Sequence, residues 1–143
     1  MSGRNTKIII DILLMIFVIL SFVRWSGING LIFHSVVGTV FAILVAVHLY
    51  LNRKWVAAVT KSIKDGKANK KLKQLYIVDM ILIVVWGIAI LSGFLAIPSF
   101  INNIESCMFG RIHAASSRIG GVVILIHIYQ HLGQIRSYLR PKK

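Results

Sequence analysis

Residues 31–51 read LIFHSVVGTVFAILVAVHLYL, an apolar run without Asp, Glu, Lys or Arg and with histidines at positions 34 and 48. A helix that crosses a bilayer needs about 20 mostly apolar residues, because it rises about 1.5 Å per residue through a core roughly 30 Å thick. Leu31–Leu51 meets that length. Working outward, Ile8–Val23, Leu75–Ile97 and Ile112–Leu132 qualify as well. In a chain of 143 residues that is 57% hydrophobic, with a mean hydropathy of +0.78, these stretches leave no room for a separate soluble domain. The reading predicts an all-α, integral membrane four-helix bundle running up-down-up-down, with residues 1–143 as a single membrane domain. Ile8–Val23 follows Arg4 and Lys7 as a signal peptide would. Three further spans, and no small-residue cleavage site before Arg24–Trp25, favour a retained first span.

The formal charge is +13, from 17 Lys and Arg against 4 Asp and Glu. Its distribution speaks against nucleic-acid binding. Arg4 and Lys7 precede the first span, eight basic residues from Arg53 to Lys73 follow the second, and Arg136, Arg140, Lys142 and Lys143 follow the fourth. With alternating spans all fourteen lie on one side, leaving Arg24 and Arg111 near the opposite edge and Arg118 inside the fourth span. Retained basic segments mark the cytoplasmic side. Both termini are therefore expected in the cytoplasm and the protein in the cell membrane, with some attraction to anionic lipid.

The connections follow from composition. Arg24–Gly30, with Gly27, Asn29 and Gly30, suits a tight turn. The basic inner loop 52–74 carries Trp55, Val59 and Ile63 at four-residue spacing, so it is either an interfacial continuation of the second helix as far as Gly66 or a solvated linker. Pro98 is expected to end the third span and open an outer loop to Arg111. Cys107 in that loop is the one cysteine: a bystander, or a link to a second copy in a homodimer.

The two halves match. Ile9-Ile10-Asp11 parallels Ile77-Val78-Asp79, and His34, His48 and Tyr50 align with His113, His127 and Tyr129 at a constant offset of 79. This predicts a duplicated helical hairpin.

Ionisable groups inside a span are costly and mark function. His34 and His48 are 14 residues apart, as are His113 and His127. Fourteen residues make about 3.9 turns, so both imidazoles of a helix point to nearly one side, about 21 Å apart along the axis. The second and fourth spans run the same way, which sets His34 level with His113 and His48 level with His127. Facing imidazoles are what a six-coordinate haem iron requires. Two noncovalent b-type haems are expected, since no Cys-x-x-Cys-His attachment motif is present. The competing readings are a transition-metal or proton transporter without haem, and histidines that serve packing. A metal transporter would add carboxylates at matching depth, and the only two in the spans, Asp11 and Asp79, sit on helices without histidine.

Other residues take secondary roles. Phe41 and Gly120 each lie seven residues from both histidines of their helix, so that a ring opposite a gap separates the haems or simply packs. Gly38, Ala114, Ala115, Ser116, Ser117 and Gly121 keep neighbouring positions small, as helix packing also does. Arg118 is the first candidate for a haem propionate, followed by Arg24 and Arg111 outside and Arg53 or Lys54 inside. Asp11 and Asp79 either accept the histidine Nδ1 proton, handle protons at a quinol site, or sit as acids near helix N-termini. His131, opposite Asn52 in the repeat, is a quinone or proton group or a surface histidine. As a replacement for His127 it would lack a partner at position 117.

At His34-Ser-Val-Val-Gly38, His48-Leu-Tyr-Leu-Asn-Arg-Lys-Trp55, His113 and His127-Ile-Tyr-Gln-His131 the chain resembles the four-helix b-type cytochromes. It is most similar to the small flavinylation-associated cytochromes and, more distantly, to the cytochrome b subunits of hydrogenases and formate dehydrogenases. The resemblance covers all four spans, with the spaced histidines as its specific part. It implies electron transfer across the membrane between a quinone pool and an outer-face redox protein or diffusible acceptor. The alternative is a stand-alone quinone-linked oxidoreductase acting on superoxide or an external acceptor.

Overall fold

A computed structural model describes residues 3–23, 27–102 and 107–139. They form four helices: α1 (Gly3–Ser21), α2 (Gly27–Lys64), α3 (Lys70–Ile101) and α4 (Met108–Leu139). The fold is all-α. The chain divides into two compact units, residues 1–57 and 58–143. Arg24, Arg140, Lys142 and Lys143 lie outside the described residues.

Among the described residues three helices are long and apolar enough to cross a membrane: α2, α3 and α4. The stretch of α1 after Arg4 and Lys7, Ile8–Ser21, rises only about 21 Å and contains Asp11. Large apolar side chains such as Ile32, Ile43, Leu91, Val122 and Leu125 are exposed, while the core is small and built of Val18, Val37, Phe41, Val59, Ala68, Trp86, Ala89 and Ala96. An apolar exterior of this kind fits a membrane protein, since water would penalise it at about 25 cal/mol per Å².

The first unit pairs α1 with the N-terminal part of α2 as an antiparallel hairpin, joined by Lys7 Nζ to Asn52 Oδ1 at 2.9 Å and by the Asp11–His48 contact described below. In the second unit α3 and α4 are antiparallel and closely packed. Small residues permit that approach: Ala89, Ser92 and Ala96 on α3 and Ser116 on α4 are all buried. The serine hydroxyls donate to carbonyls of their own helices, Ser92 to Ile88 at 2.6 Å and Ser116 to Ile112 at 2.7 Å, so neither hydroxyl is left open at the contact.

Two boundaries differ from expectation, and a third follows one of its two readings. Of the expected turn 24–30, residues 24–26 lie outside the described residues, while Gly27 (φ 73°), Asn29 and Gly30 belong to α2. Most of 52–74 is helical: α2 continues through Trp55, Val59 and Ile63 to Lys64, Val59 is buried and Lys61 and Lys64 are exposed. Pro98 does not stop α3, which runs on to Ile101 and is closed by Asn102 donating from both its backbone and its side chain to the Pro98 carbonyl. Within one turn of a C-terminus the proline removes a single helical bond and leaves its own carbonyl free to accept the cap.

Between α2 and α3 the chain turns through Asp65–Asn69. Gly66 has φ +70°, its N–H donates to Ile63 O at 3.1 Å, and Lys67 N–H donates to Ser62 O at 2.9 Å, the paired bonds of a Schellman cap. Asn69 then caps α3 by accepting from Leu72 N at 2.8 Å. Thr60 Oγ1 donates to Tyr76 Oη at 3.1 Å across the turn. Replacing Gly66 by alanine forces an L side chain into the left-handed region, at roughly 1 kcal/mol. Thermal unfolding in detergent should show the Gly66→Ala variant melting a few degrees below the parent, and an unchanged melting temperature would contradict this cap.

Candidate functional site

Each hairpin brings a carboxylate from its first helix to a histidine on its second. In the first unit His48 Nδ1–H donates to Asp11 Oδ1 at 2.9 Å. In the second, His127 Nδ1–H donates to Asp79 Oδ1 at 2.7 Å. An ionised carboxylate only accepts, so the proton belongs to Nδ1 and the lone pair of each neutral ring is left on Nε2. Asn52 Nδ2 stands 3.4 Å from His48 Nε2, on the side where that ring can accept.

His113 is fixed in the same sense by other means. Its Nδ1–H donates to the Ala89 carbonyl at 2.8 Å. The ring reaches that carbonyl because α3 offers Gly93 there: a Cβ on Gly93 would stand 2.9 Å from His113 Nδ1 and 3.0 Å from its Cε1. Three of the four candidate ligand histidines thus have Nδ1 engaged by an acceptor. His34 is half-buried on α2.

The contacts of the second hairpin repeat every seven residues. Stepping up α3 from Asp79 reaches Trp86 and then Gly93, and stepping down α4 from His127 reaches Gly120 and then His113. Asp79 meets His127, Trp86 meets Gly120, and Gly93 meets His113. Seven residues are close to two turns, so one stripe on each helix supplies all three contacts. A Cβ on Gly120 would stand 3.0 Å from the Trp86 indole. The ring that fills the space at Gly120 is therefore Trp86, and Phe41, 3% exposed, occupies the corresponding position of α2. Trp86 and Gly93 escaped the sequence reading, although their seven-residue steps from Asp79 mirror those among Gly120 and the histidines.

His131 is drawn into the same end of the second hairpin. Its ring centroid is 4.6 Å from that of His127, and its Nε2 is 3.7 Å from Asp79 Oδ1. Asp79, His127 and His131 offer ligand atoms within 4.8 Å of one another. Carboxylates assigned to helices without histidine thus reach histidines once the hairpins form. The first hairpin has Asn52 at the matching place, its amide donating to the His48 carbonyl at 3.0 Å and its Oδ1 accepting from Lys7.

The cationic candidates lie apart from these pairs. Arg118 is exposed, with no ion pair to it among the described residues, and Arg111 is exposed near the start of α4. Arg53 stacks on the Tyr50 ring, 3.8 Å from its centroid, and Lys54 is exposed. The Cys107 thiol, between α3 and α4, is held below the usual thiol range by the Ser99 hydroxyl and the Gly110 amide. No family model, curated protein or solved structure matches the chain.

The close contact at Gly93 gives a direct check. Gly93→Ala must push the His113 ring off the Ala89 carbonyl, at a cost of about 1–3 kcal/mol. Gly87→Ala, where a Cβ meets nothing within 4 Å, should leave stability unchanged or raise it. Equal melting temperatures for the two variants would show that the His113 contact is not made.

Proposed function

We propose that this chain is a di-haem b-type membrane cytochrome that transfers electrons between a quinone pool and an acceptor or donor at the outer face. The observation that supports it best is the set of histidine bonds: His48, His113 and His127 each give the Nδ1 proton to an acceptor, which orients the ring and makes Nε2 the nitrogen through which a neutral ring would coordinate. Iron- and zinc-ligating histidines are held in this way, by a carboxylate or a backbone carbonyl. Half-buried imidazoles with one donor atom prepared on each ring fit b haem. The fourteen-residue spacing assigns His34 and His113 to one haem and His48 and His127 to the other, about 21 Å apart along the helix axes.

Bound b haem would supply reversible one-electron chemistry. The protein's residues do the rest. Asp79 and Asp11 hold the Nδ1 protons of His127 and His48 and make those rings stronger donors at Nε2. The Ala89 carbonyl, a neutral acceptor, does the same more weakly for His113. Trp86, Phe41 and Val18 keep the middle of their hairpins dry. Arg118 is the proposed partner of a propionate, since a guanidinium within an apolar span needs an anion. On this reading α1 crosses the membrane with the other three helices, and the distribution of basic residues favours both termini in the cytoplasm. The resemblance of the spaced histidines to those of the b-type cytochromes points the same way.

Haem stoichiometry tests the proposal. The chain expressed in a haem-replete membrane should carry two b haems by pyridine haemochrome assay, and His113→Ala and His127→Ala should each retain one. A colourless folded protein, or two haems in either variant, would overturn it.

A further inference from the structure

The cluster at the end of the second hairpin goes beyond haem ligation. His127 and His131 are one helical turn apart on α4, so both rings project to one side, and Asp79 on α3 meets them there. All three side chains are largely buried, at 14% exposure for Asp79, 23% for His127 and 17% for His131. Two imidazoles and one carboxylate form the donor set that first-row transition ions of the zinc type prefer, whereas magnesium and calcium take oxygen.

We propose that Asp79, His127 and His131 form a site for a single zinc-class divalent cation. A four-coordinate ion holds its nitrogen and oxygen ligands at about 2.0–2.2 Å, which sets the donors roughly 3.4 Å apart. The Asp79–His127 contact of 2.7 Å opens slightly as the ion replaces the Nδ1 proton, and the Asp79–His131 separation of 3.7 Å closes slightly. The fourth position is left for water or an exogenous ligand.

The repeat supplies an internal control. The first hairpin keeps the Asp–His pair but has Asn52 where the second has His131, and the Lys7 ammonium bonds to that Asn52. An amide is a weak ligand and the adjacent cation repels a metal ion, so the first hairpin holds none. The site also bears on the proposed haem, a part that rests on the haem reading. A neutral imidazole has one lone pair. With the cation on Nδ1 of His127, the proton moves to Nε2, and that ring is no longer a ligand for iron. Cation and haem exclude each other at His127.

Cobalt(II) serves as the probe. The full-length chain, produced without haem and without a histidine tag, should bind one Co²⁺ with the intense visible bands of a four-coordinate ion. His131→Ala and the size-preserving His131→Gln should each weaken binding at least tenfold, while Asn52→Ala should not change it. No saturable binding, or binding as tight as the parent's in both His131 variants, would overturn the site. Haem added to the Co²⁺-loaded chain should bind at one equivalent until the cobalt is chelated, and two haems with the cobalt bands intact would overturn the exclusion. A chain that binds cobalt but never haem would leave this site standing and sink the cytochrome reading.

Discussion

An ionised carboxylate cannot lie among apolar helices without a partner, and a neutral imidazole offers the proton that it needs. That exchange, Asp79 with His127 and Asp11 with His48, pins each hairpin near the same end of its helices. Removing one member would leave a half-buried polar group unpaired, a loss of about 1–3 kcal/mol or more for a charge. The same bond decides which nitrogen of the ring faces outward. Hairpin register and ligand chemistry are therefore set together, and the seven-residue step carries the register onward to Trp86 with Gly120 and to Gly93 with His113.

The two hairpins are variations on one plan with the bulk exchanged. In the second, the large residue is Trp86 on the first helix and the small one Gly120 on its mate. In the first, the matching positions hold Val18 and Phe41, both buried, so the large ring has moved to the second helix. The bulk comes from a different helix in each hairpin. The polar ends diverge further. His131 adds a second imidazole beside Asp79, whereas Lys7 and Asn52 give the first hairpin a cation and an amide beside Asp11. The same Asp–His pair thus sits in two different electrostatic settings.

Much of this was legible in the residues. Long apolar runs, the repeat offset of 79 and the histidine spacing are one-dimensional signals, and they gave four helices and the candidate rings. The bonds from Asp11 and Asp79 to the Nδ1 atoms stood among three readings of those acids, because depth along a helix narrows the partners without choosing among them. The helix ends were harder. Apolar composition locates a span, but α2 continues through a basic stretch that lysine tolerates well in a helix, and Pro98 sits where α3 was already losing its internal bonds. Trp86 and Gly93 were missed because each reads alone as an ordinary apolar or small residue. Their meaning appears only when the antiparallel register pairs them with Gly120 and His113.

The account depends on which ring nitrogen carries the proton. Nitrogen-15 NMR of histidine-labelled full-length chain, with His127 assigned by difference from a His127→Gln variant, reads this directly. The expected result is a neutral His127 protonated at Nδ1 with Nε2 unprotonated. A His127 ring protonated at Nε2 with a bare Nδ1 would contradict it, because the carboxylate bond and the prepared donor atom would both be gone.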